Sequence, residues 1–326
     1  MSKITISRRT ALALGAGAAF AASAPAIAQG RRRITVVTGG TGGVFYPYGG
    51  GLAKLFSEKM ANTQATGQVT GGSIDNIKLL HSGDAELGFS TMDSAYDAYM
   101  GVEAYAKDGK QDVRVMALLY DSFFHVVASQ SSGVTNIASM KGKRIGVGSV
   151  GSATESITDR VLEAGGLDFK RDITRDNLGV AESAGAIKDG KIAAFFWIGG
   201  IPTAAVRELA TGGQPPIRFV PTTRELAVLD AKWPNLYRPI TLPANAYANQ
   251  PEAVSGLGVA NVLVVSSKAP AALVTAMLEA MFDNLAEVQA IHPEARRLTL
   301  AGAAGKAAIP YHPAAEAYFR AKGVMS

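Results

Sequence analysis

The chain has 326 residues, among them 36 glycines, 14 prolines and no cysteine, and it is 48% hydrophobic and 18% charged with a formal net charge of +5. That length suits one or two domains with a sizeable core, and the apolar fraction excludes a disordered chain. Zero cysteine excludes a disulfide scaffold, a thiolate zinc centre and a cysteine nucleophile, and the four scattered histidines (His81, His125, His292, His312) argue against any metal centre.

Residues 1–28 read as an export signal. Lys3, Arg8 and Arg9 precede an alanine-rich apolar stretch from Ala11 to Ala24, and Ala26-Ile27-Ala28 fits a small-residue cleavage site before Gln29. Ser7-Arg8-Arg9-Thr10 resembles a twin-arginine signal, so the expected location is the periplasm. Removing this segment leaves 29 Lys+Arg against 27 Asp+Glu, a net charge of +2. Arg31-Arg32-Arg33 is then the only basic cluster, at the mature N-terminus and without interleaved aromatics, which speaks against a nucleic-acid partner.

From Ile34 onward short apolar runs alternate with segments of helical period. Strands are expected at 34–37, 68–70, 86–90, 113–120, 124–128, 144–147, 192–197, 217–220 and 259–265. Helices are expected at 47–60, 73–81, 92–105, 153–164, 180–188, 202–211 and, as one long element, 270–290. This alternation predicts an α/β fold with mostly parallel sheets covered on both faces. Two strand–glycine turn–helix units, at 34–60 and 143–165, repeat the same arrangement. Each places a turn beyond the carboxyl end of a strand, where the following helix offers unpaired N–H groups to a small anion.

The run Thr38-Gly39-Gly40-Thr41-Gly42-Gly43-Val44-Phe45-Tyr46-Pro47 fails the dinucleotide fingerprint, because Phe45 stands at its sixth place, and no Gly-Lys-Ser/Thr follows. What remains is a turn whose backbone can approach a ligand closely. Gly71-Gly72-Ser73 with Asn76, Gly88-Phe89-Ser90-Thr91, Gly146–Glu155 with Ser152 and Thr154, and Phe195-Phe196-Trp197-Ile198-Gly199-Gly200 add further glycine- and hydroxyl-rich turns. Asp75, Asp93 and Glu155 fall in first turns of helices, where they complement the dipole. Gly151-Ser152-Ala153 lacks a nucleophile elbow and no partner histidine is evident, so an enzyme is not expected.

This set of motifs resembles the solute-receptor subunit of the TAXI family of TRAP transporters. The resemblance spans about Ile34 to Gly323 and is carried most specifically by Gly39–Gly50, with "GGSIDNIKLL", "KGKRIGVGSVGSATE", "FFWIGGIP" and "YHPAAEAYFRAKG" following in the same order. Thr91-Met92 departs from it, standing where a glutamine-containing pair is common, as do Ala153 and Ala193.

The resemblance implies a type II-like periplasmic binding protein: two α/β lobes with a ligand cleft between them, one lobe of residues 31–125 plus 255–326 and the other of 126–254. It implies capture of a small carboxylate or amino acid, glutamate-like, and its delivery to a TRAP membrane permease driven by an ion gradient. The receptor would be a monomer without cofactor or metal, and a sensor of the same fold without a carrier is the alternative. Ligand contacts are expected from Thr41, Gly42, Gly43, Tyr46, Ser73, Asn76, Ser90, Ser152 and Thr154, with Phe195, Phe196 and Trp197 as an apolar wall.

Overall fold

The structure is a computed structural model describing residues 31–325; the expected export signal lies outside the described residues. In chain order the elements are β1 (Arg32–Val37), α1 (Phe45–Lys59), β2 (Thr63–Gln68), α2 (Ser73–Ser82), β3 (Leu87–Thr91), α3 (Met92–Met100) and β4 (Val113–Ser129). Then come β5 (Arg144–Gly146), α4 (Ala153–Ala164), β6 (Thr174–Asp176), α5 (Val180–Lys188), β7 (Ala194–Gly199), α6 (Ala204–Gly212), β8 (Ile217–Phe219), α7 (Thr223–Lys232) and β9 (Tyr237–Leu242). The chain finishes with β10 (Val254–Ser266), α8 (Ala271–Phe282), α9 (Leu285–Ile291), α10 (Leu300–Ala303) and α11 (Pro313–Ala321).

The strands form one sheet in the order β2-β1-β3-β10-β4-β7-β5-β6, with β8 beside β4 and β9 beside β10. Pairing is parallel between β1 and β3 and between β5 and each of β6 and β7. The two longest strands, β4 and β10, run antiparallel to each other through the middle. Their near-continuous apolar sequence follows from burial on both faces.

Both central strands change partner halfway. β10 pairs with β9 over Val254–Val259 and with β3 over Asn261–Val264. β4 pairs with β7 over Phe123–Ala128, beyond the part that lies level with β3. The fold is therefore an α/β arrangement of two lobes: β1–β3 with one half of each long strand, and β5–β9 with the other half. The register of β10 against β4 shifts between Ala260 and Val262. There the Asn261 side chain donates to the Tyr120 carbonyl (3.0 Å) and to Ser122 Oγ (2.7 Å), giving the interrupted ladder substitute partners.

Several elements differ from the sequence expectation. The strands expected at 113–120 and 124–128 are one strand, because Asp121-Ser122 passes between the lobes without a turn. The helix expected at 92–105 stops at Met100, where Gly101 adopts φ 71° and donates its N–H to the Ala98 carbonyl. The long helix expected at 270–290 breaks at Asp283-Asn284, and the Asn284 side chain donates to the Ala280 carbonyl. Helices α7, α10 and α11 and strands β6 and β9 have no counterpart among the expected elements.

Candidate functional site

Five helices begin around one cavity of about 250 Å³ between the lobes. Each follows a strand end or a turn of small residues: Gly39–Val44 before α1, Thr70–Gly72 before α2, Thr91 before α3, Ser149–Ser152 before α4 and Gly179 before α5. Turns beyond the carboxyl ends of parallel strands bring helix starts together, and their first amides lack intrahelical acceptors and carry partial positive charge. In the first turn Gly43 N donates to the Gly40 carbonyl (3.1 Å), which curls the backbone so that Thr41 and Gly42 sit at its tip. Across the cleft, Gly179 caps α5 through its carbonyl, which accepts from Ser183 N (2.8 Å), and the amides of Val180, Ala181 and Glu182 open that helix.

The α2 start is used differently. Ile74 N and Asp75 N of the first lobe both donate to the Gly151 carbonyl of the second (3.1 and 3.2 Å), so these amides join the lobes rather than face the cavity. Asp75 accepts from Gly71 N (3.1 Å), and burial raises its carboxyl above the usual range. Elsewhere along the seam Glu294, buried ahead of α10, accepts from Ile201 N (2.6 Å). The glycine tips meet the other lobe directly. A methyl group on Gly43 would stand 2.9 Å from Trp197 Cη2, and one on Gly42 would stand 3.1 Å from the Ala181 methyl. The lobes are thus closed on each other around the cavity.

Of the twelve expected contacts, Thr41, Gly42, Gly43, Ser73, Ser152, Thr154 and Trp197 line this cavity. Their hydroxyls are partly engaged. Ser73 Oγ accepts from Thr91 N (3.1 Å), and Thr154 Oγ1 accepts from Ile198 N (3.3 Å), which leaves each a hydrogen to donate. Ser152 Oγ both accepts from Glu155 N (3.1 Å) and donates to the Ser149 carbonyl (2.7 Å), so its role is capping.

The other five stand off the cavity wall. Asn76 is wholly buried: its amide donates to the carbonyls of Thr38 (2.6 Å) and Phe89 (2.8 Å), and its oxygen accepts from Thr70 Oγ1 (2.6 Å). It ties β1, β3 and the turn before α2 together. Ser90 donates to the Thr91 carbonyl inside the protein (2.9 Å). Tyr46, in the first turn of α1, is 39% exposed outside the cleft. On β7 only the carboxyl end reaches the cavity. Phe196, on the opposite face from Trp197, stacks on Phe124 at 5.5 Å, and Phe195, two residues deeper, packs with Val180, Ile187 and Ile192.

Sequence reasoning missed the Gly179–Glu182 wall, together with Thr70, Tyr120, Ser122, Ser149 and Ile198. Gly179 before a helical period was a usable signal for the first of these. Tyr120 and Ser122 belong to the middle of β4 and carry no motif. Burial pushes the Tyr120 phenol well above its ordinary value, so it stays a neutral hydroxyl. Glu182 is the one charged residue of the lining; no lysine or arginine contributes. Trp197 is anchored by donation from Nε1 to Thr203 Oγ1 (2.9 Å), which holds the indole against Gly43. Among the described residues no group of three or more His, Asp or Glu is placed to hold a metal, and no helix is long and apolar enough to cross a membrane.

Solved structures are similar to this chain at low identity. A Bordetella bronchiseptica RB50 protein is similar over 90% of this chain and 89% of its own, with 17% identity and a TM-score of 0.53. The periplasmic aliphatic sulphonate binding protein of Escherichia coli matches over 82% of this chain and 80% of its own, with 13% identity and a TM-score of 0.43. A putative L-cystine ABC transporter from Listeria monocytogenes matches over 80% of this chain and 94% of its own, with 13% identity and a TM-score of 0.49. The sequence itself matches the NMT1-like family model over residues 36–323, nearly its whole folded length, and the chain belongs to that family.

Proposed function

We propose that this protein is a periplasmic solute receptor that closes on a small carboxylate or amino acid and passes it to a membrane carrier. The observation that carries the reading is the convergence of helix starts from both lobes on one partly enclosed cavity, whose Glu182 suits the ammonium of an amino acid. Amides of Thr41, Gly42 and Val44 from one side and of Val180–Glu182 from the other suit a carboxylate, each contact contributing about 0.5–1.5 kcal/mol. Several together, with water excluded by closure, reach the roughly −8 kcal/mol of micromolar binding. Trp197, Phe45 and Ile198 supply an apolar wall for the rest of the solute. Closure itself follows if the solute touches both lobes only when they meet, since it then favours that state.

Lobe boundaries within β4 and β10, giving 31–125 plus 255–326 and 126–254, are part of this proposal, as are twin-arginine export and a monomeric receptor. The Gly39–Gly50 run and its companion motifs support a carrier of the TRAP type driven by an ion gradient. One of the solved structures named above, from Listeria monocytogenes, is described as a putative L-cystine ABC transporter.

Thermal-shift screening of residues 31–326 against amino acids and organic acids tests the binding function. A true solute at 100 times its Kd adds about 2.7 kcal/mol to the stability of the folded state. The absence of any shift from every small carboxylate and amino acid would overturn the reading. Uptake into proteoliposomes bearing the membrane carrier should need an ion gradient and no ATP; ATP dependence would assign the receptor to the other transporter class.

A further inference from the structure

Outside the cavity lining, elsewhere along the same seam, Arg160 of α4 is inserted between the lobes. Its guanidinium donates to Asp97 Oδ2 (2.5 Å) and to the Tyr237 hydroxyl (2.7 Å), and that hydroxyl donates to Asp93 Oδ2 (2.9 Å). Arg160 Nη1 lies 3.7 Å from Asp93 Oδ2, and its guanidinium carbon lies 4.3 Å from the centroid of the Trp233 ring. Asp93 and Asp97 stand one turn apart on α3, in the first lobe, whereas Arg160, Trp233 and Tyr237 belong to the second. The side chains of Arg160, Asp93 and Asp97 are 5%, 0% and 3% exposed.

The charges do not balance. One guanidinium faces two buried carboxylates, and a third, the half-exposed Glu103, lies 3.9 Å from Arg160 Nη2. Oδ1 of Asp93 and Oδ1 of Asp97 are buried without a hydrogen-bond partner. Surplus negative charge sealed from water is strongly unfavourable unless it is neutralised. Among the described residues, the other cations nearby are engaged elsewhere. Lys78 of α2 pairs with Asp108, Lys232 pairs with Glu163 while lying over Trp233, and Arg114 of β4 lies over Tyr99. Asp75 of α2 adds negative charge, Tyr105 is a buried phenol held neutral by desolvation, and β3 and β10 present no titratable side chain.

We propose that Asp93 and Asp97 form a proton-binding site between the lobes, the pair sharing one proton that ties α3 to α4 and is released as pH passes neutrality. Desolvation, offset in part by Arg160, raises Asp97 to about 7, in keeping with this charge count. The site goes beyond solute capture and holds whichever compound the cleft takes.

Carbon-detected NMR of the whole chain with carboxyl-labelled aspartate reads the site directly. One aspartate carboxyl should titrate near pH 7, and it should vanish in Asp97→Asn or move in Asp93→Asn. All aspartates titrating below about pH 5 would overturn the proposal. Thermal unfolding gives a second reading. Because the folded state holds a proton that the unfolded chain releases, this contribution is present at low pH and is lost as pH rises from about 4 to about 7. The side-chain amide introduced by Asp97→Asn imitates the protonated acid, so wild type and variant should melt together at pH 5 and the variant several degrees higher at pH 8.5. A wild type equally favoured over the variant at both pH values would show a fully ionised cluster and overturn the proposal. If the variant does not fold, the wild-type titration decides alone.

Discussion

At the scale of single residues, the chain separates side chains that build the site from those that face it. Asn76 sits in a turn that reads as ligand-binding, yet all its polar atoms bind the protein. Asn76→Ala leaves the buried Thr38 and Phe89 carbonyls short of a donor, at about 1–3 kcal/mol each. Chemical denaturation should show that loss, with solute affinity of the folded protein unchanged. Gly43 is the converse case: a methyl there meets the indole edge that closes the cleft. Gly43→Ala should leave unfolding within about 1 kcal/mol of wild type and weaken the solute about tenfold or more, as titration calorimetry would show.

His125 illustrates a third kind of residue, a buried ring bonded to the Tyr247 hydroxyl (2.9 Å) and held by desolvation near pKa 4. The unfolded chain takes up a proton that the folded ring refuses, so its contribution is full above about pH 6.5 and fades as pH falls toward 4. Acid melting curves of wild type and His125→Gln should therefore converge over that window.

At the scale of elements, what was legible followed from local chemistry. Helices 153–164 and 180–188 have the bounds expected of them, because a Ser or Gly start and an apolar stripe mark them. The glycine turns were legible as cavity walls for the same reason. Illegible were features decided by distant partners. Asp121 and Ser122 read as a break in β4 and prove to be a crossing point, supported by Asn261 from another strand. The turn before α2 reads as ligand-facing, yet the Ile74 and Asp75 amides are taken by Gly151, which lies about 75 residues on.

The α3–α4 pairing was equally hidden, since nothing near Asp93 or Asp97 in sequence announces Arg160. Arg160→Met would leave the buried Asp93–Asp97 pair, with its one remaining negative charge, without a cation and should cost about 3–5 kcal/mol in urea unfolding. Adding Asp97→Asn to that variant should restore part of the loss; strict additivity of the two changes would mean that they do not interact.

At the scale of the whole molecule, the two lobes meet through glycine tips, main-chain bonds and one buried ionic cluster around a cavity. Trp197 and Trp233 are the only two tryptophans, and one touches the cleft while the other stacks on Arg160. Each therefore reports on a different end of the seam. In Trp233→Phe, emission from Trp197 alone should shift to the blue as solute closes the cleft, and a solute that binds without moving this signal would place it elsewhere.

The paired passage of β4 and β10 carries a final consequence. Phe123 and Gly258 stand opposite each other in the ladder, so the stretch between them leaves and re-enters its host at neighbouring points. That geometry suits the stretch to grafting as a cassette. Transplanting it between relatives would exchange half the binding surface while the recipient keeps its own native ends, and new specificities become reachable by recombination rather than by redesign.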